Sequence, residues 1–439
     1  MGRKKKSPVI GASHSKVTCK VLENLTTQIY EENFIDRNRL SVNNFTRDRA
    51  FNFSDLIIFL LQKDNGSYQK EINSYFDSLG LSAALFPSSS ALCQARSKLS
   101  PDAFIELNRK SVKAFYSDST YRKWKGYRIL AVDGSTLQLP KHSTIEEEFG
   151  VHMFGPKADS PKSLARISYL YDVLNGLVLD SRIDSFSTSE TDMAWKHLEH
   201  VSKNDVVLFD RYYPSYPLIF SLKSMGTNFC FRMKSDWWTI VREFTSGKNN
   251  DEIVSLRIPS KYRKWAEENG IPQTVRVRLI KKKNKNGEIE VFCTSLLNEE
   301  KYKRTAVLGL YKERWNIEEG YKLIKSRLEV EDFSGIRSIV VKQDFYIKTL
   351  LLTINAILCQ KINPSKSKSS GRVININKTL GLSTTKKLFL KIALDWTIEQ
   401  TVDFYTNTMI GKFNYSRKGQ KCSRNKKCHR KYNMNYKTA

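Results

Sequence analysis

The middle of the chain alternates between short apolar β-segments and segments of helical periodicity, and this order allows few folds. The first β-segment, Arg128–Val132, is followed by two alternating runs around Asn175-Gly176, a dipeptide typical of tight hairpin loops. A helix capped by Ser189, the strand Asp205–Phe209, another helix and another strand complete the order. The pattern predicts a mixed α/β domain that contains a hairpin.

Segments of different character flank this core. The region from Val21 to about Tyr116 is helical in pattern and includes a short apolar helix, Phe53–Gln62, with Ser54 as its candidate cap. Further along the chain, the segment KKKNKNG separates two β-runs. The fold class we expect is α/β, with a ribonuclease H-like core of the retroviral integrase type that is interrupted by a β-rich insertion. The predicted domains are a helical N-terminal DNA-binding domain over 1–125, a catalytic domain over 126–234 and 299–362, the insertion over 235–298, and a basic C-terminal region over 363–439.

The charge of the chain points to a polyanionic partner. The sequence has 73 Lys and Arg residues against 45 Asp and Glu, a formal net charge of +28. Hydrophobic residues make up 40% of the chain, enough for a sizeable core, which excludes a disordered basic tail protein. A membrane surface would require a basic amphipathic anchor, and the apolar runs are too short to span a bilayer. Nucleic acid is therefore the expected partner.

Cysteine usage and the N-terminus indicate the compartment. Seven cysteines are dispersed singly, and no long apolar segment follows the basic start MGRKKKS. This predicts reduced thiols, no secretory signal and a cytoplasmic location. Cys422, Cys428 and His429 offer only three zinc ligands at an unusual spacing, so we expect no metal there.

Two aspartates directly follow predicted strands. Asp133 follows Arg128–Val132, and Asp210 follows Asp205–Phe209. Loops at the C-terminal ends of strands in an open α/β sheet face a crevice where functional sites collect. Two carboxylates brought together repel each other unless a cation neutralises them, and oxygen ligands suit Mg²⁺ or Mn²⁺. A single Asp at the end of a strand more often forms a turn than a functional site. A further residue pattern is therefore needed to distinguish the two roles for Asp133 and Asp210.

That further pattern is a stripe of four side chains on a predicted helix from Thr305 to about Leu328. Tyr311, Arg314, Glu318 and Lys325 are spaced so that they fall within an arc of about 60° on a continuous helix. Considered alone, the helix favours a simpler interpretation, a surface ion pair between Glu318 and Arg314, because such pairs are common.

Taken with the two aspartates, the stripe matches a known family. The four residues and their spacing reproduce the Y-R-E-K signature of the IS-four family of bacterial insertion-sequence transposases. The segment LAVDGSTLQLP around Asp133 resembles the family's first catalytic aspartate, and VVLFDRYYPSY around Asp210 resembles the second. The family has Gly at the position of Tyr212, so the local turn is expected to differ. The resemblance covers roughly residues 50–360.

This resemblance implies a DNA transposase that moves an insertion sequence by cut-and-paste transposition, with phosphodiester hydrolysis and strand transfer through a DNA hairpin. It implies that Asp133, Asp210 and Glu318 are catalytic and bind two Mg²⁺ or Mn²⁺ ions. The implied nucleic-acid partner is double-stranded DNA, both the terminal inverted repeats and the target. A second copy of the chain would form a homodimer, and no membrane is involved. The implied location is the cytoplasm of a bacterium or archaeon, at the nucleoid. Two alternatives are a transposase-derived DNA-binding protein without catalysis and a ribonuclease H-like nuclease without strand transfer.

The resemblance also implies which residues contact DNA. Arg314 and Lys325 are expected to bind phosphates, Tyr311 to donate its hydroxyl to a phosphate oxygen, and Arg211 to contact the strand near Asp210. Relatives stack a flipped base on an aromatic ring, and the insertion offers two for this purpose. These are Trp237 and Trp238, of which we expect at least one to pack in the insertion's own core.

Two further basic segments keep two interpretations each. Helix starts at Ser88 and Ser100 allow a helix-turn-helix that presents Gln94, Arg96 and Lys98 to DNA, or an ordinary helical hairpin. Arg276, Arg278 and the lysines at 281–283 either follow phosphates or form a solvated hairpin.

Overall fold

The computed structural model describes residues 12–47, 49–117, 120–153, 161–360, 362 and 372–417. By their contacts these residues divide into two compact units. The first lies within 1–121, 137–165 and 322–439, and the second within 122–136 and 166–321. None of the helices in these described ranges combines the length and the apolar character needed to cross a lipid bilayer.

The helices are numbered in chain order. They are α1 Ala12–Tyr30, α2 Glu32–Asn38, α3 Phe53–Gln62, α4 Tyr68–Ser78, α5 Ser89–Arg96, α6 Asp102–Tyr116, α7 Ser143–Phe149, α8 Glu190–His197, α9 Tyr216–Ser224, α10 Thr239–Ser246, α11 Arg263–Glu268, α12 Arg304–Lys312, α13 Trp315–Ser326, α14 Ser338–Cys359, α15 Lys378–Ala393 and α16 Ile398–Met409. The first unit is mainly helical, and it includes α14, which the sequence analysis placed in the catalytic domain.

The strands form one large mixed sheet and one small sheet. They are β1 Arg128–Gln138, β2 Leu164–Asp172, β3 Leu177–Ser185, β4 Asp205–Phe209, β5 Asn228–Met233, β6 Asp251–Arg257, β7 Thr274–Lys283, β8 Ile289–Thr294, β9 Arg372–Ile376 and β10 Phe413–Arg417. The large sheet has the order β3-β2-β1-β4-β5-β8-β7-β6, and β9 pairs with β10. Strand β4 is parallel to β1 and β5, whereas β8 is antiparallel to β5 and β7. The prediction of a mixed α/β fold is therefore confirmed.

Strands β6, β7 and β8 come from the segment predicted to be β-rich. They continue the large sheet beyond β5, because β8 pairs with β5 from Cys230–Thr294 to Met233–Val291. Most side chains of β7 and β8 are buried, whereas in β6, at the edge of the sheet, only Leu256 is buried.

Several predicted elements differ in their details. The helix Phe53–Gln62 is confirmed as α3, but its cap is Asn52, whose side chain accepts a hydrogen bond from the Asp55 amide at 2.8 Å. Ser54, the predicted cap, instead donates to the Ile29 carbonyl at 2.7 Å. A residue one position inside the helix cannot supply the N-cap bond, so the neighbouring polar residue does.

The Asn-Gly hairpin has a four-residue loop, not the predicted two-residue loop. Strand β2 ends at Asp172, and β3 begins at Leu177. The Asp172 carboxylate accepts from the Leu174 and Asn175 amides, both at 2.9 Å, which closes a wider turn. Gly176 has φ 78°, a conformation that glycine adopts without strain.

Strand β1 and the helix of the Y-R-E-K stripe also depart from the prediction. Strand β1 continues through Asp133 to Gln138, because β2 remains its neighbour after the pairing with β4 ends at Val132. The stripe is divided between α12 and α13, with Arg314 in the break. Its amide bonds to the Tyr311 carbonyl three residues earlier, a tighter turn than in an α-helix. The angles of a continuous helix therefore do not apply to it.

A buried ion pair fixes α5 in the first unit. The Arg96 guanidinium lies 2.9 Å from Asp344 on α14 and also donates to Gln343, Tyr68 and Ser334. Arg96 is fully buried, so its predicted role as a DNA contact is wrong. Burial alone would raise the pKa of Asp344, but the charge of Arg96 holds that pKa well below its usual range.

Removing the charge of Asp344 should destabilise the first unit. In Asp344→Asn the fully buried guanidinium of Arg96 has no counter-charge, and we expect a loss of about 3 to 5 kcal/mol in the free energy of unfolding. Urea denaturation measures this value. The control is Glu268→Gln, which breaks an exposed pair with Lys264 and should change stability by less than about 0.5 kcal/mol. Equal losses in both variants would contradict the prediction.

Candidate active site

Asp133, Asp210 and Glu318 come from three elements of the second unit. Asp133 lies within β1, Asp210 is the first residue after β4, and Glu318 lies in the first turn of α13. Strands β1 and β4 are parallel neighbours in which Val132 is opposite Phe209. Asp133 directly follows Val132, and Asp210 directly follows Phe209. The two predicted catalytic aspartates therefore lie side by side on neighbouring strands, at the C-terminal end of the β1–β4 ladder.

The guanidinium of Arg314 joins all three carboxylates. Its Nη1 lies 3.3 Å from Asp133 Oδ2, and its Nη2 lies 2.9 Å from Glu318 Oε1 and 4.0 Å from Asp210 Oδ2. The Arg314 side chain is 7% exposed, and its buried Nε has no hydrogen-bond partner among the described residues. The structure therefore brings the three predicted carboxylates together around one buried cation.

The pKa of Asp133 is raised mainly by burial. The net pKa is about 6, because burial outweighs Arg314 and the Gly134 amide, which donates at 3.0 Å and favours the ionised form. The charges of Asp210 and Glu190 make smaller contributions in the same direction as burial. A partly buried carboxylate beside other acidic groups is stabilised in its ionised form by further positive charge, so the site suits a cation in addition to Arg314.

The chemistry of the donors fits a hard divalent cation. Three carboxylates converge, and carboxylate oxygen is the ligand that Mg²⁺ and Mn²⁺ prefer. Within the described part of the chain, no group of His, Cys, Asp or Glu side chains already has the arrangement of a metal-ligand set. The positive charge among the three carboxylates is that of Arg314.

A fourth carboxylate, Glu190, lies beside Asp133 and was missed from the sequence. A Cβ added at Gly134 would be 2.8 Å from the Glu190 carboxyl carbon, and the Tyr213 hydroxyl donates to Glu190 Oε2 at 3.4 Å. The Glu190 side chain thus packs directly on the backbone of Gly134. No local signal marks Glu190, since acidic residues such as Asp192 are common in the first turn of a helix.

Tyr311 has a structural contact where the sequence predicted a contact with DNA. It is 9% exposed, and its hydroxyl donates to the Phe209 carbonyl at 3.2 Å. Its ring packs on Phe292 of β8 with centroids 4.8 Å apart. Tyr311 thus ties α12 to the end of β4, next to Asp210. Lys325 lies seven residues beyond Glu318 on α13 and is half-buried.

Exposed aromatic and basic side chains follow Asp210 in the chain and continue past β5. Arg211 is exposed, Tyr212 is 63% exposed, and Trp237 is 49% exposed. Lys234 Nζ lies 5.3 Å from the Tyr212 ring centroid and 4.7 Å from that of Trp237. We call Tyr212, Lys234 and Trp237 the ring cluster. Tyr212, which replaces the family's glycine, is one of its two rings.

Trp238 does not belong to the ring cluster. Its ring stacks on Tyr216 with centroids 4.0 Å apart and an angle of 17° between the ring planes. Trp238 therefore packs against a residue of α9, outside the predicted insertion 235–298, and not in a core of the insertion itself.

Two of the basic residues of β7 are buried, in contrast to both interpretations from the sequence. Arg278 is 1% exposed and donates to Asp251 at 2.6 Å. Lys281 is 6% exposed, and its ammonium donates to the carbonyls of Phe244, Thr245 and Gly247. Neither side chain is available to DNA, whereas Arg276 is exposed.

A groove in the first unit is lined by cations. It has a volume of about 440 Å³, and its lining includes Arg47, Arg49, Gln94 and Lys98 beside apolar residues such as Phe51. Within the described ranges, the two arginines and Lys98 form no ion pair, and no lining residue is acidic. We call this the basic groove. Two of the three residues predicted for the helix-turn-helix, Gln94 and Lys98, thus line the basic groove, and the third, Arg96, is buried.

Comparison with known proteins identifies relatives. The family described as the transposase DDE domain matches residues 124–354, more than half of the chain. Transposase InsG for insertion sequence element IS4, from Escherichia coli K12, is 23% identical over 250 residues, which cover 56% of this chain and 54% of that protein. InsZ, from the same organism, is 24% identical over 140 residues, or 32% of this chain and 47% of InsZ. The chain thus spans about half the length of the curated relatives that it matches.

A solved structure is also similar over much of the chain. It is the piggyBac transposase synaptic complex with hairpin DNA, with a TM-score of 0.42 and 11% sequence identity, covering 90% of this chain and 83% of that one.

Stability should depend on pH through Asp133. The folded-state pKa of about 6 lies above the ordinary value of 3.8, so the folded protein holds this proton more tightly. This contribution is complete below the ordinary pKa and is lost as the pH rises through about 6. In metal-free buffer the free energy of unfolding of the wild type should therefore fall by up to about 3 kcal/mol, relative to Asp133→Asn, as the pH rises from about 4 to 6.5. Urea titrations at a series of pH values that gave parallel curves for both proteins would contradict this.

Proposed function

Because this chain belongs to the DDE transposase family, we propose that it excises an insertion sequence and joins it to new DNA by cut-and-paste transposition. The observation that carries the proposal is the convergence of Asp133, Asp210 and Glu318 on one buried guanidinium, inside the region that the family matches. Three acidic side chains from distant segments have no structural need to share one site, whereas phosphoryl transfer on DNA uses such a cluster.

The fold that we propose for this region is ribonuclease H-like. The order β3-β2-β1-β4-β5, with β1, β4 and β5 parallel, supports it, because it places the two aspartate-bearing strands at the centre of the sheet. Helix α13 then supplies the third carboxylate. In this proposal β6, β7 and β8 are the β-rich insertion at the sheet edge.

Asp133, Asp210 and Glu318 would hold two Mg²⁺ or Mn²⁺ ions. Such ions supply a nucleophilic oxygen at neutral pH and neutralise the charge that develops on the phosphate. The protein orients the ligands through β1, β4 and α13. Glu190 adds negative charge next to Asp133, which favours cation binding there.

Basic residues of this chain would orient the scissile strand. The planar guanidinium of Arg314, held here by the three carboxylates, would bind a phosphate in bidentate fashion once cations replace it among them. The Lys325 ammonium would act as a point charge. Arg211 is exposed directly after Asp210. Tyr311 acts indirectly in this proposal, by fixing the end of β4.

The ring cluster would bind an unpaired nucleotide of a DNA hairpin. The rings of Tyr212 and Trp237 are exposed, and base stacking on such rings tolerates any sequence. Lys234, close to both rings, can contact the phosphate of the same nucleotide. A hairpin is strained and releases a base readily, which supports this intermediate.

The basic groove would contact duplex DNA of the terminal inverted repeats, within the proposed N-terminal DNA-binding domain. Among the residues that the structure describes, Arg47, Arg49 and Lys98 have no acidic partner, and phosphates would supply counter-charges. The family resemblance also suggests a homodimer on paired ends and a cytoplasmic location at the nucleoid, and both belong to the proposal.

Glu318→Gln should retain DNA binding and lose cleavage. The amide keeps the shape of the side chain but removes the anionic ligand, so nicking of terminal-repeat DNA with Mg²⁺ should fall at least about 10³-fold. Gel assays of nicking and of DNA retardation measure the two properties. The matched control is Glu319→Gln, an exposed neighbour that should cut normally.

The same assays separate the alternative functions. Retained cutting by Glu318→Gln would remove this residue from the proposed site. Wild-type protein that binds DNA but never nicks it with Mg²⁺ or Mn²⁺ would favour a DNA-binding derivative. Cleavage without any joined product would favour a nuclease.

Neutralising the basic groove should weaken binding in a salt-dependent way. In the double variant Arg47→Gln and Arg49→Gln, two phosphate contacts are lost, so the slope of log K against log salt should fall by about 1 to 2. Fluorescence anisotropy on duplex terminal DNA at several salt concentrations measures it. The control is Lys261→Gln with Lys264→Gln, an equal charge change at exposed positions of the second unit. An unchanged slope in the groove variant would show that this groove does not bind the duplex.

A further inference from the structure

Two hydroxyl groups hold the backbone carbonyl of the first aspartate. The Tyr321 hydroxyl donates to the Asp133 carbonyl oxygen at 2.7 Å, and the Ser168 hydroxyl donates to the same oxygen at 3.2 Å. Asp133 is the first β1 residue after the ladder with β4, which ends at Val132. The backbone of Asp133 is therefore fixed by the hydroxyl groups of Tyr321 and Ser168, because its hydrogen bonding to β4 has already ended.

Tyr321 belongs to the helix that carries the third carboxylate. It follows Glu318 by three residues, so the two side chains lie one turn apart on α13. Its ring stacks on Tyr169 of β2, with centroids 4.9 Å apart and ring planes 4° apart. A Cβ added at the neighbouring Gly320 would meet the Tyr171 ring at 3.2 Å, so α13 approaches β2 as closely as glycine allows. The helix is thereby seated on β2 and tied to β1 by one hydroxyl.

The second hydroxyl is oriented by a buried chain of polar groups. Ser168 Oγ lies 2.9 Å from His197 Nε2, and His197 Nδ1 lies 2.8 Å from Asp180 Oδ2. His197 and Ser168 are fully buried, and Asp180 is 3% exposed. The mechanism proposed above uses none of these side chains. Their common end point is the Asp133 carbonyl.

We propose that Tyr321 is a positioning residue of the active site, whose hydroxyl sets the separation between Glu318 on α13 and Asp133 on β1. Ser168, oriented by His197, is the second support of the same carbonyl. Ligands from separate elements must be held within a fraction of an ångström to share a divalent cation, and groups behind the ligands provide that constraint. This inference rests on the proposed function, because it assigns the two carboxylates to one cation site.

The test is Tyr321→Phe, which removes only the hydroxyl and keeps the ring on Tyr169. Single-turnover nicking of terminal-repeat DNA should fall about 10- to 100-fold, with unchanged DNA affinity. The Mn²⁺ concentration that gives half of the metal-induced rise in Tm of the DNA-free protein should increase by a similar factor. The matched control is Tyr405→Phe, which removes another buried hydroxyl, one that donates to Asn355 at 3.1 Å in the first unit. It should leave nicking and the Mn²⁺ response unchanged.

Ser168→Ala tests the second support. Both hydroxyls hold one oxygen, so either alone should retain part of the geometry, and the double variant with Tyr321→Phe should lose more nicking than the product of the single losses. A loss in the double variant equal to the product of the two single losses would mean that the hydroxyls act independently, which contradicts a shared support.

The outcomes distinguish this inference from the proposed function. If Tyr321→Phe nicks DNA and responds to Mn²⁺ like the wild type, the inference is wrong while the proposed function stands. If Tyr405→Phe loses as much nicking as Tyr321→Phe, the loss reflects any buried hydroxyl, and the inference is equally wrong. A wild type that binds Mn²⁺ but cuts no DNA contradicts the proposed function, and the Mn²⁺ response of Tyr321→Phe then decides on Tyr321. A wild type without a Mn²⁺ response overturns both.

Discussion

The repulsion between carboxylates at the centre of the large sheet is the constraint on which this site depends. Asp133, Asp210 and Glu318 come close enough to share the Arg314 guanidinium, and Arg314 is itself nearly buried among them. Buried like charges cost free energy unless a cation offsets them. The pKa of Asp133 stays raised, mainly through burial, although the guanidinium lowers it. Perturbed carboxylates of this kind are typical of functional sites, and the proposed cation would stabilise their ionised forms.

The surrounding architecture holds this unfavourable cluster in place. The break between α12 and α13 lets Arg314 leave the regular helix, Tyr311 ties α12 to the end of β4, and Tyr321 ties α13 to β1. Gly320 permits the close approach of α13 to β2. The two tyrosine contacts are hydrogen bonds between uncharged groups, a tyrosine hydroxyl and a backbone carbonyl. Salt therefore does not screen them as it screens ion pairs. The acidic groups are therefore positioned by contacts that do not depend on their own charge.

The large positive charge of the chain serves two different purposes. Some basic residues are buried and have internal partners; they include Arg96, Arg278, Lys281 and Arg314. Others are at the surface and include Arg47, Arg49, Arg211 and Arg276. A net charge of +28 is a sum over both classes. It predicts a polyanionic partner only in general terms, and the position of each cation shows which ones are exposed to solvent.

The sequence by itself indicated the order of the core elements and singled out the three carboxylates that the structure brings together. Turn residues, caps and hydrophobic period are local properties, so β4, β5 and α3 could be predicted to within a residue or two, and the spacing of Tyr311, Arg314, Glu318 and Lys325 indicated the family. Only the tertiary structure decided that Arg314 lies in a break, that Arg96 is buried and that Glu190 lies beside Asp133. These outcomes depend on burial against residues far away in the chain, and no local pattern encodes that environment.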